Sequence, residues 1–169
     1  MDAVIVYESM WGNTKAVAEA IAAGLSPHLQ VEALEVGSAP SASSLDVALL
    51  VVGGPTHAFG MSRPQTREDA ARRGGHPGGT GIREWIESAG DGLSLSVAAF
   101  DTHARHPNLP GAASKKAAKA LRRAGCTLVA QPESFYVEGQ EGPLLPGELD
   151  RARTWGEHLA GLLPESSRV

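Results

Sequence analysis

Residues 47–54 read V-A-L-L-V-V-G-G, an apolar run with no polar position in either half of the alternation a strand would impose. Successive side chains of a strand point to opposite faces, so such a run is stable only where both faces of its sheet are covered. Residues 3–7, A-V-I-V-Y, make the same demand. Strands of this kind belong to parallel sheets layered between helices. The first of those helices follows at once, with Val17, Ile21 and Leu25 at i, i+4 and i+8.

The remaining elements alternate in the same way. Gln30–Val36 alternates imperfectly, as a strand nearer a sheet edge would. A helix is predicted over Ile82–Ser88, carrying Trp85 and Ile86, and a fourth strand over 93–100, L-S-L-S-V-A-A-F. Gly111–Ala124 reads as a helix with Leu121 and several alanines inward, its lysines and arginines outward, and Gly125 as its C-terminal cap. A fifth strand lies within 127–137 and is interrupted near Pro132. The last helix, Gly147–Leu163, has Leu149, Ala152, Trp155, Leu159 and Leu162 as its apolar stripe. Between Pro55 and Gly81 there is little to bury; roughly Arg63 to Arg73 is expected to be helical, and Gly74–Gly81 mobile or held by contacts elsewhere. Strand and helix in alternation imply right-handed crossovers, and in such sheets ligands bind beyond the carboxyl ends of the strands. Segments 8–14, 54–60 and 101–110 therefore meet at one edge.

Of 169 residues, 42% are hydrophobic, enough for one core, and residues 1–163 are expected to form a single domain with 164–169 as a flexible tail. The net charge of −4 gives no reason for whole-chain attraction to nucleic acid or an anionic membrane. No run approaches the roughly 20 apolar residues a membrane span requires, and no leader pattern opens the chain, so a cytoplasmic protein without membrane insertion is expected. The single cysteine, Cys126, leaves no internal disulfide or cysteine-rich metal site and reads as a buried structural thiol.

The loop E-S-M-W-G-N-T, residues 8–14, stands between the first strand and the first helix. A helix N-terminus offers unpaired N–H groups and a positive dipole end, so a loop of Ser, Gly, Asn and Thr before it suits an anion. The same residues would also serve as an ordinary cap. The loop lacks the G-K-[ST] of a nucleoside triphosphate loop. A phosphoacceptor receiver domain is set aside because Gly53 and Gly54 stand where its aspartate would end the third strand. A zinc site from His57, His76, His103 and His106 is set aside for want of short ligand spacing.

The run V-I-V-Y-E-S-M-W-G-N-T-K-A-V-A-E-A-I resembles the phosphate-binding segment of flavodoxins and flavodoxin-like proteins, and G-G-P-T-H-A-F-G and A-A-F-D-T-H fall where that family places two flavin-flanking loops. The resemblance implies a doubly wound α/β fold, a five-stranded parallel sheet of order 2-1-3-4-5 with helices on both faces, and FMN as cofactor. Ser9, Met10, Trp11, Gly12, Asn13 and Thr14 would surround the phosphate. Pro55, Thr56, His57, Ala58, Phe59 and Gly60 would lie along one side of the isoalloxazine, and Asp101, Thr102 and His103 along the other side and the pyrimidine edge.

Two features depart from the family. Where many flavodoxins stack Trp and Tyr on the flavin, this chain offers His57 and His103, with Phe59 nearby; Trp11 is read as packing against the protein. Electron-carrier flavodoxins are acidic around the flavin edge, whereas here Arg63, Arg67, Arg72, Arg73 and Arg83 face only Glu68 and Asp69 in the same stretch, and His103, Arg105 and His106 follow in the third loop. This segment is either a solvated insertion or an anion-accepting lid. The resemblance implies a redox protein serving a partner protein, or reducing a small acceptor such as a quinone at the expense of NAD(P)H, with His57 and His103 as candidate catalytic proton donors. The alternative is a binding module that has lost tight flavin binding and holds another anion in the 9–14 loop.

Overall fold

The computed structural model describes residues 1–57, 60–105 and 111–167. Strand β1 (Ala3–Tyr7) leads through helix α1 (Asn13–Leu25) to β2 (Val31–Glu35) and β3 (Leu49–Pro55). Helices α2 (Pro64–Arg72) and α3 (Ile82–Ser88) precede β4 (Ser96–Ala104) and α4 (Ala113–Arg123). Two short strands, β5 (Thr127–Leu128) and β6 (Glu133–Val137), and helix α5 (Glu148–Leu162) complete the order. The strands pair in parallel as β2-β1-β3-β4-β5, with β6 also on β4. The expected fifth strand is thus two segments on one edge, divided by the stretch that contains Pro132, which has no N–H to give a ladder.

Strand alternation divides the core into two layers. Val4, Val6, Leu50, Val52, Val97 and Ala99 face the layer of α3 and α4, where Ile82, Trp85, Ile86, Ala117 and Leu121 are buried. Ala3, Ile5, Leu49, Val51, Ala98 and Phe100 face α1 and α5, through Val17, Ile21, Leu25, Ala152, Trp155 and Leu159. Cys126 is buried at the end of the first layer. No helix among the described residues is long and apolar enough to cross a membrane.

Two sequence expectations are corrected and one alternative is decided. Strand β4 is displaced toward the C-terminus: it begins at Ser96 rather than residue 93 and continues through the polar D-T-H to Ala104. Leu93 instead donates its N–H to the Ala124 carbonyl, while residues 100–104 pair with Glu133–Val137. Pairing with a neighbour on each side holds these polar residues in a strand that their composition disfavours. In α5, Leu149 and Leu162 are 46% and 43% exposed, so the buried stripe is Ala152, Trp155, Gly156, Leu159 and Ala160. It is centred on the small residues because α5 crosses α1 closely. For residues 74–81 the second alternative holds, contacts elsewhere: His76 donates its N–H to the Met10 carbonyl, and Gly75 lies against the Trp11 indole. Beyond α5, residues 165–167 form one 3₁₀ turn.

The α1–α5 crossing depends on two glycines. A Cβ on Gly24 would overlap the Arg153 carbonyl, and one on Gly156 the Ile21 carbonyl, both backbone atoms without freedom to swing away. Gly24→Ala is expected to destabilise the chain by about 1–3 kcal/mol despite its better helix propensity. Gly161→Ala, in the same pair of helices but with open space around the new methyl, is expected to stabilise by about 0.5–1 kcal/mol. Urea denaturation of both variants checks the contrast, and equal effects would remove close helix approach as the cause.

Candidate functional site

The carboxyl ends of β1, β3, β4 and β6 open into a narrow cleft of about 40 Å³ that continues into open solvent. Residues 9–11, 13 and 14 form one wall, Pro55, Thr56 and His57 another, and Val137, Gly139 and Gln140 a third, with Thr102 and Ala104 between them.

The first wall is built by a reversal of the chain. Gly12 has φ +91°, a left-handed conformation that turns the loop into the first turn of α1 at little cost only for glycine. Ser9 Oγ accepts from the N–H groups of Gly12 at 3.1 Å and Lys15 at 3.3 Å, which leaves its own O–H free to donate. The backbone N–H groups of Met10, Trp11, Asn13 and Thr14 find no acceptor among the described residues. Four orphan donors at the start of a 13-residue helix form an anion cradle. The Asn13 side chain is spent differently from expectation: its Nδ2 donates to the Glu141 carbonyl at 2.8 Å, tying the loop to the turn after β6. Thr14 Oγ1 and Thr102 Oγ1 share a buried hydrogen bond of 2.8 Å, which joins the start of α1 to β4.

On the second wall Thr56 donates its N–H to the Thr102 carbonyl, and His57 and Gly60 exchange backbone bonds at 2.7 and 3.0 Å. Ala58 and Phe59, expected along the flavin, lie outside the described residues. Trp11 lies against Gly75, as packing predicts, yet it also lines the cleft, with its ring within 10° of parallel to His57 and the centroids 6.5 Å apart. Burial, aided by the Arg67 and Arg73 charges, pushes the His57 pKa below its ordinary value. The ring is therefore a neutral imidazole near neutral pH, with one donor and one acceptor nitrogen.

Asp101 and His103 do not line the cleft, contrary to expectation. Because they lie in a strand, they share the face opposite to Thr102 and point at the start of α4. His103 sets Nδ1 2.7 Å from the Ala104 carbonyl and Nε2 3.0 Å from that of Gly111, so neither nitrogen is available to a ligand. Asp101 is fully buried and accepts from the Ser114 N–H at 2.8 Å through Oδ2, while Oδ1 has no partner; burial pushes its pKa up. Gly12 and Gly60 shape their loops without lining the cleft. Among the described residues no His, Cys, Asp and Glu gather as metal ligands; His106, weighed for zinc, lies outside them.

Two features escaped the sequence. The turn after β6 supplies Gly139 and Gln140; its signal was the Gly-rich E-G-Q-E-G-P at the carboxyl end of a strand, the position that marked the other loops. Glu8 is a buried anchor beneath the first wall. Its Oε1 accepts from the Ile82 N–H at 2.9 Å and Oε2 from the Ser62 hydroxyl, and Ser62 Oγ in turn accepts from Arg67, which pairs with Glu84. Burial outweighs these contacts and raises the Glu8 pKa.

Among the described residues, three of the five arginines of residues 63–83 are ion-paired. Arg67 pairs with Glu84, Arg72 with Glu68 and Asp69, and Arg73 with Asp69 and the Gln140 side chain. Arg83 donates to the Met61 and Ser62 carbonyls. Of the two readings of this segment, the pairing favours a structured insertion that holds part of its own charge.

A sequence profile described as Flavodoxin matches residues 5–155. The fold superposes on a flavodoxin from the domain Archaea at 21% identity and TM-score 0.67, over 95% of this chain and 97% of that one. Flavodoxin 1 from Bacillus cereus aligns at 18% identity and TM-score 0.69, over 95% and 98%. A flavodoxin, WrbA-like protein from Agrobacterium tumefaciens aligns at 18% and 0.56, over 95% and 96%. No curated protein matches the sequence.

The raised Asp101 carboxyl has a measurable consequence. Above about pH 4, where an unfolded carboxyl loses its proton, the native state still holds one at Asp101, so this group's contribution to stability falls as pH rises toward its native pKa. His57, with its lowered pKa, works in the opposite sense near pH 6, so the informative quantity is a difference. Asp101→Asn, which keeps an acceptor for Ser114, is expected to gain stability relative to the parent between about pH 4.5 and about pH 8. Urea midpoints at both pH values test this, and a pH-independent difference would show that Asp101 is not held protonated.

Proposed function

Because this chain belongs to the flavodoxin family, whose members bind FMN and transfer electrons, we propose that its cleft holds FMN and serves as a one-electron relay to a partner protein. The observation that carries the assignment is the set of unpaired N–H groups at Met10, Trp11, Asn13 and Thr14 around the free Ser9 hydroxyl. A phosphate dianion supplies the acceptors that these donors lack, and the dipole of α1 favours it. Bound there, FMN would supply the electron-accepting ring system.

The chain's own groups position and shield. Trp11 and His57 offer near-parallel ring faces at the mouth of the cleft, Thr56 and Thr102 fix its floor by hydrogen bonds, and Gln140 closes the far side. His57 is the polar side chain suited to move a proton, since its neutral ring can both donate and accept. A second cleft of about 100 Å³, lined by Trp11, His57, Thr66, Asp69, Arg73 and Gln140, adjoins the first and favours a second role, reduction of a small acceptor of quinone type. The relay is preferred because Arg73, which lines the second cleft, and Arg67 and Arg72 of α2 are ion-paired within the protein and so are less available to a nicotinamide phosphate.

Ser9→Ala is the cleanest test of the cradle. Thr14→Ala would leave Thr102 unpaired in a buried place and cost stability of its own, about 1–3 kcal/mol. After mixing with FMN and gel filtration, the parent is expected to retain visible flavin bands near ~375 and ~450 nm. Ser9→Ala is expected to bind FMN about 10-fold more weakly, as loss of one charge-assisted hydrogen bond predicts. Inorganic phosphate should compete with FMN in the parent. A colourless parent would favour the binding-module alternative, and unchanged affinity in Ser9→Ala would remove the phosphate assignment.

A further inference from the structure

Helix α4, A-S-K-K-A-A-K-A-L-R-R, carries five cations and no carboxylate in a chain whose net charge is −4. Lys115, Lys116, Lys119, Arg122 and Arg123 are all exposed, and among the described residues none is ion-paired. Arg67, Arg72, Arg73, Arg151 and Arg153 each have a carboxylate partner, whereas Lys15, Arg63 and Arg83, like the α4 cations, form no ion pair among the described residues; what distinguishes α4 is five such cations on one helix. Like charges three and four apart weaken a helix. Local fold stability gives no reason to leave all five unpaired.

Lys116, Lys119 and Arg123 stand on successive turns and, with Arg83 of α3, line an open groove of about 400 Å³ between the two helices. Met61, Ile86, Ala120 and Ala124 supply apolar lining between the charges. The groove begins at the rim of the proposed FMN cleft. Gly60, bonded to His57, sits where an added Cβ would be 3.4 Å from Lys116, and the Ala113 N–H donates to Thr56 Oγ1 at 3.1 Å.

We propose that this face of α3 and α4 is the docking surface for a redox partner with an acidic surface, seated so that its own redox centre approaches the mouth of the cleft. The proposal rests on the FMN assignment for its electron-transfer step and on charge for its docking step. Unpaired cations around an apolar strip accelerate encounter with an acidic surface and fix its orientation. A compact polyphosphate fits less well, because Glu87 and Asp91 line the same groove and would repel it. A protein surface can present carboxylates to α4 and other groups to α3.

The test uses dithionite-reduced plant-type ferredoxin as an acidic one-electron donor to the FMN-loaded chain, followed by stopped flow. Ionic strength runs from about 0.01 M to about 1 M, over which the Debye length shrinks from about 30 Å to about 3 Å. The second-order rate is expected to fall about 10-fold or more across that range. At low salt, Lys116→Glu combined with Lys119→Glu should slow it about 10-fold, whereas Lys115→Glu combined with Arg122→Glu, on the same helix but outside the groove lining, should slow it less than about 3-fold. Equal slowing by both pairs would reduce the effect to net charge and overturn the docking surface, as would a rate insensitive to salt. Inorganic tripolyphosphate that binds the groove and competes at micromolar concentration would make it a small-anion site instead. Failure of the cofactor assignment appears separately, as absent flavin bands; retention of the apo chain on immobilised ferredoxin then reads docking alone, and is expected to be lost in the Lys116/Lys119 variant and kept in the Lys115/Arg122 variant. Retention that does not distinguish the two variants overturns the proposal.

Discussion

Every side chain of β1, and every residue of β3 up to Gly54, is withdrawn from water, and this double burial decides where polarity is permitted. A central parallel strand has no solvent face, so functional groups must wait until the chain leaves the sheet at its carboxyl edge. Gly53 shows how tight the interior is: a Cβ there would overlap the Phe100 ring on the neighbouring strand. The cleft, the anion cradle and the polar network beneath it all lie at that one edge because nowhere else in the sheet can accept them.

Two buried carboxylates work in the same way at this edge. Glu8, just past β1, accepts from the first N–H of α3, and Asp101, within β4, accepts from an N–H in the first turn of α4. Each satisfies a donor that the helix itself leaves open, from a residue distant in sequence. Burial raises both pKa values, so the contacts do not fully compensate for lost hydration. What they secure is placement: α3 and α4 start at fixed points on the sheet edge, and the groove between them inherits that geometry.

Charge is sorted by the same architecture. The insertion that carries α2 and α3 contains arginine-rich sequence but folds Arg67, Arg72 and Arg73 onto Glu84, Glu68 and Asp69, and Arg67 is almost wholly buried in doing so. Among the described residues no carboxylate forms an ion pair with the cations of helix α4, so its charge remains available to solvent and to partners. Counting charges along 57–83 could not show which of those cations are paired. Glu84 lay outside the count although it is the partner of the most buried arginine, and pairing across 17 residues is a property of the folded chain.

Much of the fold was legible because its signals are local. The double-apolar runs 3–7 and 47–54, the helical spacing of Val17, Ile21 and Leu25, and the break near Pro132 each reflect the physics of a few adjacent residues, and the flavodoxin resemblance ordered the strands. In the site, E-S-M-W-G-N-T was legible as an anion loop because glycine, small polar residues and a following helix are enough to create orphan donors. The roles of Asn13, Asp101, His103 and Gln140 were not, since each depends on what lies opposite in space. Once β4 is known to run to Ala104, alternation alone sends Asp101 and His103 to the face away from Thr102. The sequence by itself thus determined a doubly covered parallel sheet with an anion-binding turn after its first strand. Only the tertiary structure decided which polar residues face the cleft, which are spent on capping helices, and which cations stay free, because long-range partners set hydrogen bonding and charge pairing.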